Sequence, residues 1–433
     1  MPKPRYLSAL VLCLLPVFAE EAPEKLKEGH SHQGHAFNDG PRQSATLIPG
    51  TGTVNFPIQS KWELAQAYFH QGVGQLHGFW YYEAERTFRE IAAHDPDCAM
   101  AYWGMAMANW ENKERAKEFI EKAVERKEQA SPRNQLYIEA QSNFLDGEPK
   151  DDKKRRQELI KDIENIIHEY PEDDEARAFL ACRLWQFSQK GIPISSPEAV
   201  DAMMQLVLAR TPNHPIHHYR IHVWDKAKAE RAVDSAALLG KSAPAIAHMW
   251  HMPGHIYSEL KRWDDSAFAQ QASARIDHQY MIERRVMPDQ IHNYAHNNEW
   301  LARNWMNMGR AREALEMAKS LIANPRHPKW NSFESRGRSA GHGRKRLVEA
   351  LTRFELWEEA LRYADSNWLE PTGVISEQVR RLRLIAVAQF GLENEDGLKA
   401  LEGEYEAVLA EAEKDLERVK EEARAKAEAE GDT

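Results

Sequence analysis

Cysteine is scarce: three occur in 433 residues, and Cys13 lies in the apolar run at the N-terminus. The other two, Cys98 and Cys182, stand far apart and no CxxC occurs, which argues against a disulfide framework, a thiol redox motif and a cysteine zinc site. Both sit among helix-forming apolar residues and read as buried thiols. Long apolar runs are also missing. The one that exists, Leu7 to Phe18, is too short to hold a bilayer as a stable anchor. Virtually no stretch alternates with period two over a strand's length, so a sheet is not expected. Positive charge is not gathered into a strip, and the net charge is −10, which argues against nucleic acid as the main partner. The chain has no phosphate loop, no G-x-S-x-G, no Rossmann fingerprint and no HExxH.

What is present begins with a secretory pattern. Lys3 and Arg5 give a basic start, the apolar run follows, and Val17-Phe18-Ala19 supplies a cleavage site before Glu20-Glu21. Residues 1–19 are therefore expected to be a signal peptide and the protein to be exported, periplasmic or secreted. Cleavage there removes Lys3 and Arg5 and takes the net charge to −12. Residues 20–60 form a polar arm rich in Gly, Pro and His, containing His30, His32 and His35. Such an arm is either loosely tethered or laid on the body. Ala36-Phe37 offers an apolar anchor that favours packing of His35 to Arg42.

From Lys61 the sequence becomes helical and repetitive. Gly72, Ala84, Phe88 and Pro96 occupy the 8, 20, 24 and 32 positions of a tetratricopeptide repeat starting at Ala65. Gly104, Ala116 and Ala123 recur at the 8, 20 and 27 positions from a start at Asp97. Small residues let paired helices approach, and proline ends the second helix. Tyr170-Pro171 and Thr211-Pro212 close later hairpins. Leu260-Lys-Arg-Trp, Met308-Gly-Arg-Ala and Phe354-Glu-Leu-Trp echo the turn in the middle of a repeat. The pattern predicts an all-α, right-handed α-solenoid of about nine helical hairpins over residues 61–391. Asn324 to Arg344, rich in Pro, Gly, Ser and Arg, reads as a long loop. Residues 392–433 read as a capping helix, striped by Leu398, Leu401, Tyr405, Val408 and Ala412, that frays into a charged tail.

Histidine is concentrated in one region. Ten of 19 lie between His214 and His296, where an even spread would put about 4. All but His278 fall on three predicted first helices, starting at His214, His248 and Gln290, and first helices line the concave groove of such a solenoid. His218/His222, His251/His255 and His292/His296 are i,i+4 pairs, so each pair shares a helix face. The offset of 33 residues aligns His218/His222 with His251/His255, whereas a 34-residue register aligns His214/His217 with His248/His251; the sequence leaves both open. Paired neutral imidazoles suit zinc, copper or iron. Asp225 and Glu299 stand one turn beyond two of the pairs. The candidate ligands are His214, His218, His222, His251, His255, His292, His296 and Glu299. His217, His248 and His278 read as packing residues, and His94, His168, His327 and His342 as surface or loop residues. Pro253-Gly254 is expected to kink its helix and turn His255 toward the groove. The absence of HExxH leaves a peptidase without a motif. A polar network without metal, or a groove that holds a peptide or protein partner, is the competing reading. The abundant Trp and Tyr residues, at helical spacing, read mostly as repeat core.

Two blocks resemble those of a family of exported bacterial tetratricopeptide-repeat proteins. Asn213 to His222 matches Asn-His-Pro-x-x-His-Tyr-x-Ile-His, and His251 to Tyr257 matches His-Met-Pro-x-His-Ile-Tyr. The resemblance covers Lys61 to Leu321. It implies the solenoid fold and the importance of His214, His218, His222, His251 and His255, and it supplies no reaction. Some relatives look fused to thioredoxin-like domains; none is seen here, so no redox role carries over.

Overall fold

The computed structural model describes residues 43–146, 151–291, 293–328, 330–334 and 337–430. Met1 to Ala19, His30, His32, the segment His35 to Arg42 and His292 lie outside the described residues. Among those described the chain is all-α, with one isolated extended pairing between His327 and Asn331. No described helix is long and apolar enough to cross a membrane.

Among the described residues, helices pair in nine successive hairpins. Their first helices are Ala65–His77, Ala99–Ala108, Pro132–Asp146, Asp174–Ser188, His217–Trp224, the split helix Ala247–His251 and Pro253–Glu259, Tyr294–Asn307, Ser339–Arg353 and Ile375–Gly391. Each helix packs on its neighbours in sequence, and at most junctions consecutive first helices also meet. This is the α-solenoid expected.

The repeat signature has a visible cause. A Cβ on Gly72 would stand 2.5 Å from the Phe88 ring, and one on Gly104 would stand 2.4 Å from the same ring. Phe88 is fully buried, so two consecutive first helices close over one phenyl group only because both lack a side chain there. Several mid-repeat turns share a left-handed residue: Phe79, Lys261, Gly309, Glu355 and Glu393 have φ between 52° and 77°. After each, a backbone N–H reaches five residues back, as in Trp80 to Gln75, Arg262 to Tyr257 and Leu356 to Leu351, at 2.8–3.0 Å. These bonds satisfy carbonyls that the helix end would leave bare.

Two expectations need correction. Helix Ser339–Arg353 begins inside the segment read as a loop up to Arg344. Gly343, within that segment, allows close approach: a Cβ there would meet the Ala318 carbonyl and Ile322 at 2.7 Å. At the other end, the helix Glu402–Glu430 does not fray early. Pairs such as Arg418–Glu422 and Lys420–Glu417 run along it, while Leu409, Leu416 and Val419 are exposed beyond the capped portion. Pro253 breaks the hydrogen-bond ladder without a change of backbone region, since Met252 keeps φ −60° and ψ −36°.

Residues 43–60 lie on the inner helices. Phe56 is fully buried, with its ring centre 5.2 Å from Phe69, 5.4 Å from Trp103 and 4.7 Å from Tyr137. The backbone of this arm is held by side chains of several hairpins. Gln66 and Asn134 donate to Phe56 and Pro57 carbonyls at 2.9 Å each, and the Asn55 N–H donates to Glu175 at 2.9 Å. The Gly50 carbonyl accepts from Ala245 N–H at 3.0 Å. The arm thus ties the first hairpin to the fourth, fifth and sixth.

Candidate functional site

The closure just described brings the first hairpin onto the histidine-bearing helices. His77, at the end of Ala65–His77, is fully buried and bonds the Tyr219 hydroxyl through Nδ1 at 2.8 Å and Glu175 through Nε2 at 2.8 Å. His214 Nε2 reaches the other Glu175 oxygen at 3.2 Å, and its Nδ1 accepts from Ile216 N–H at 3.0 Å. Burial pushes the Glu175 carboxyl up, but His214 and His77 more than reverse this and hold it well below the ordinary range. Burial outweighs Glu175 at His77, whose imidazole is pushed down and stays neutral. His77, Glu175 and His214 lie within ligand distance of one another, yet every one of these polar atoms already has a protein partner. This group is a closed hydrogen-bonded knot.

A second group sits beside it. His218 donates Nδ1–H to the His77 carbonyl at 2.6 Å, which leaves its Nε2 lone pair free. That Nε2 faces His222 Nε2 at 3.0 Å and His248 Nε2 at 3.1 Å. All three ligand atoms lie within 4.8 Å of one another. Two nitrogens bound at about 2.0–2.1 Å to one ion stand about 2.9–3.4 Å apart at angles of 90–110°, so both separations fit a shared ion. Aromatic rings wall the group: Trp185 stacks on His222 at 3.8 Å, and Phe79 lies 4.4 Å from His218, 5.7 Å from His222 and 5.7 Å from His248. Burial lowers the His218 pKa to about 3 and, with His218 adjacent, holds His222 well below its usual value. Both imidazoles are neutral at pH 7, the form that binds a metal.

The array continues along residues 247–259. His251 and His255 face each other Nε2 to Nε2 at 2.9 Å. His251 Nδ1 lies 2.7 Å from Gln270 Oε1, and His255 Nδ1 lies 2.9 Å from Asp225 Oδ2. Burial first, then His255 and His296, push the His251 imidazole well down. The His296 ring is 4.8 Å from that of His251, and its Nδ1 is 3.3 Å from Glu299 Oε1. Trp300 packs against His251, His255 and His296, with ring centres 4.6–5.7 Å away.

Of the residues singled out from sequence, His218, His222, His251, His255 and His296 therefore lie together in one continuous array. His214 is directed instead to Glu175, because Pro215 keeps it in a turn ahead of the helix that starts at His217. Glu299 is held by Arg346 in a close ion pair and receives His296, so it orients a ring. His217 packs against Ser235 and the Pro212 carbonyl, and His278 is exposed. His248, read as packing, belongs to the three-imidazole group, where it meets His218, with which neither repeat register aligns it. His342 stands beside His296 and Glu299. His77 and Glu175 carried no sequence signal, because their role depends on contacts more than 90 residues apart.

No family model matches the chain, and no curated protein does. Among solved structures, the human IFIT1 dimer with PPP-AAAA is 15% identical over 81% of each chain, with a TM-score of 0.34. The P58(IPK) TPR domain is 13% identical over 80% of this chain and 99% of its own, with a TM-score of 0.19.

Proposed function

We propose that this is an exported solenoid protein whose groove binds a transition-metal ion through His218, His222 and His248. The observation that carries the reading is the convergence of three Nε2 atoms on the side of His218 that its bond to the His77 carbonyl leaves unprotonated. A ring nitrogen fixed by an outer acceptor, with its partner nitrogen turned inward, is how protein matrices set an imidazole for a metal. Three nitrogens suit Zn, Cu or Fe and leave a coordination position for a further ligand. His222 and His248 are half-buried, so the group is not sealed from solvent.

The competing reading is a scaffold that holds a peptide in the groove. Residues 43–60 already take the course of such a peptide along the inner helices of the first four hairpins, which disfavours it there. Metal analysis of the purified protein before and after chelation decides the matter. Stoichiometric metal that is reduced in His222→Gln and in a His218→Ala/His251→Ala double variant supports a metal site. Absence of any bound ion, with a melting temperature indifferent to chelator, refutes it.

A further inference from the structure

We infer a second metal site next to the first, formed by His251 and His255, with the His296 ring beside them. The inference rests on the reading of the groove as a metal site and deepens it from one ion to two.

Proton accounting at two rings carries the argument. Gln270 Nε2 donates to the His251 carbonyl at 3.2 Å, which fixes Gln270 Oε1 as the acceptor facing His251 Nδ1 at 2.7 Å. The proton of a neutral His251 therefore sits on Nδ1. His255 Nδ1 is directed in the same way at the Asp225 carboxyl, 2.9 Å away, which accepts. Both Nε2 atoms then carry lone pairs, yet they stand 2.9 Å apart. Two lone pairs at that distance repel unless a proton or a cation lies between them. A transition ion satisfies both at a separation of about 2.9–3.4 Å.

His296 repeats the pattern, with Nδ1 toward Glu299 and its ring beside His251. Glu299 is neutralised by Arg346, so it orients His296 without competing for the ion. The two sets are joined by one helix. His248 belongs to the first and His251 to the second, three residues on, with rings nearly parallel at 16° and centres 5.8 Å apart. The site takes a divalent ion that prefers imidazole, such as Zn(II) or Cu(II).

The test counts ions. The parent protein carries His30→Ala, His32→Ala and His35→Ala, which removes the N-terminal imidazoles as a source of stray metal. It is stripped with chelator, saturated with Zn(II), desalted and analysed for metal per chain. Two ions are expected in the parent, one in His222→Gln and one in His255→Gln. Both substituted residues are half-buried, and circular dichroism confirms that each variant is folded. One ion in the parent, or two remaining in His255→Gln, overturns the second site and leaves the first standing. Loss of both ions in His255→Gln overturns the division into two sites. No ion in the parent overturns both readings.

Discussion

Asp277 offers a quantitative check on the layer of structure behind the histidines. It lies on helix Trp263–Arg284, is buried, and accepts from Asn297 Nδ2 at 2.6 Å. Asn297 in turn neighbours His251. Burial raises the Asp277 carboxyl to about 8, against a partial opposing effect of the Asn297 bond. In the unfolded chain the group ionises near 3.8. Because the folded-state pKa is the higher one, the unfolded state releases the proton first, and folding is disfavoured progressively as pH rises from about 4 to 8. At about 1.4 kcal/mol per unit, the penalty is roughly 4 kcal/mol at pH 7 and close to zero at pH 4. Asp277→Asn removes the ionisation and keeps an oxygen for Asn297. The variant should therefore be more stable than the parent by roughly 2–4 kcal/mol at pH 7 and indistinguishable at pH 4. Urea midpoints of the metal-free proteins, followed by far-UV circular dichroism at pH 4, 5.5, 7 and 8.5, measure this. A difference that does not change with pH, or a variant less stable at pH 7, would refute the reasoning.

Other consequences follow from local geometry. Glu355 is exposed and left-handed at φ 52°, so Glu355→Gly should gain about 0.5–1 kcal/mol, read as a rise in melting temperature; a fall would contradict the strain argument. Gly104→Ala drives a methyl into the Phe88 ring and should cost about 2–3 kcal/mol, partly recovered by adding Phe88→Leu. An unchanged urea midpoint in the single variant would show that the helices can separate freely. Phe56→Ala should cost about 3–5 kcal/mol and expose residues 43–60 to limited proteolysis. Protease resistance equal to the parent's would mean that the arm is anchored elsewhere.

Legibility of the sequence followed the range of the interaction. Gly72, Phe88 and Gly104 were readable because one buried ring dictates two glycines one repeat apart. The turns at Lys261, Gly309 and Glu355 were readable as echoes, since all three take the same left-handed conformation whether or not the residue is glycine. The spacing of His218/His222 and His251/His255 put each pair on one face, and their Nε2 atoms meet at 3.0 and 2.9 Å. His248 escaped because its partner is on another hairpin, at a distance that no helical period encodes. Asn324 to Arg344 misled because Gly343 has the composition of a loop and the packing role of a helix contact. His77 and Glu175 could not be found at all, since only the closure of the first hairpin gives them a task.

That closure is what turns a groove into a site. An open solenoid would present the imidazoles of His217–Trp224 and residues 247–259 to water, each free to choose its tautomer. Here the arm fastens the first hairpin across them: Gly50 holds Ala245, Gly52 leaves room for Pro215, and Asn55 holds Glu175. The same approach puts the His77 carbonyl on His218 Nδ1 and the Phe79 ring over His218, His222 and His248. The carbonyl sets the tautomer, and the phenyl ring excludes solvent from one side. Sequence far from the histidines thus sets which nitrogen of His218 is available, and Phe56, which anchors the arm, supports the site without touching it.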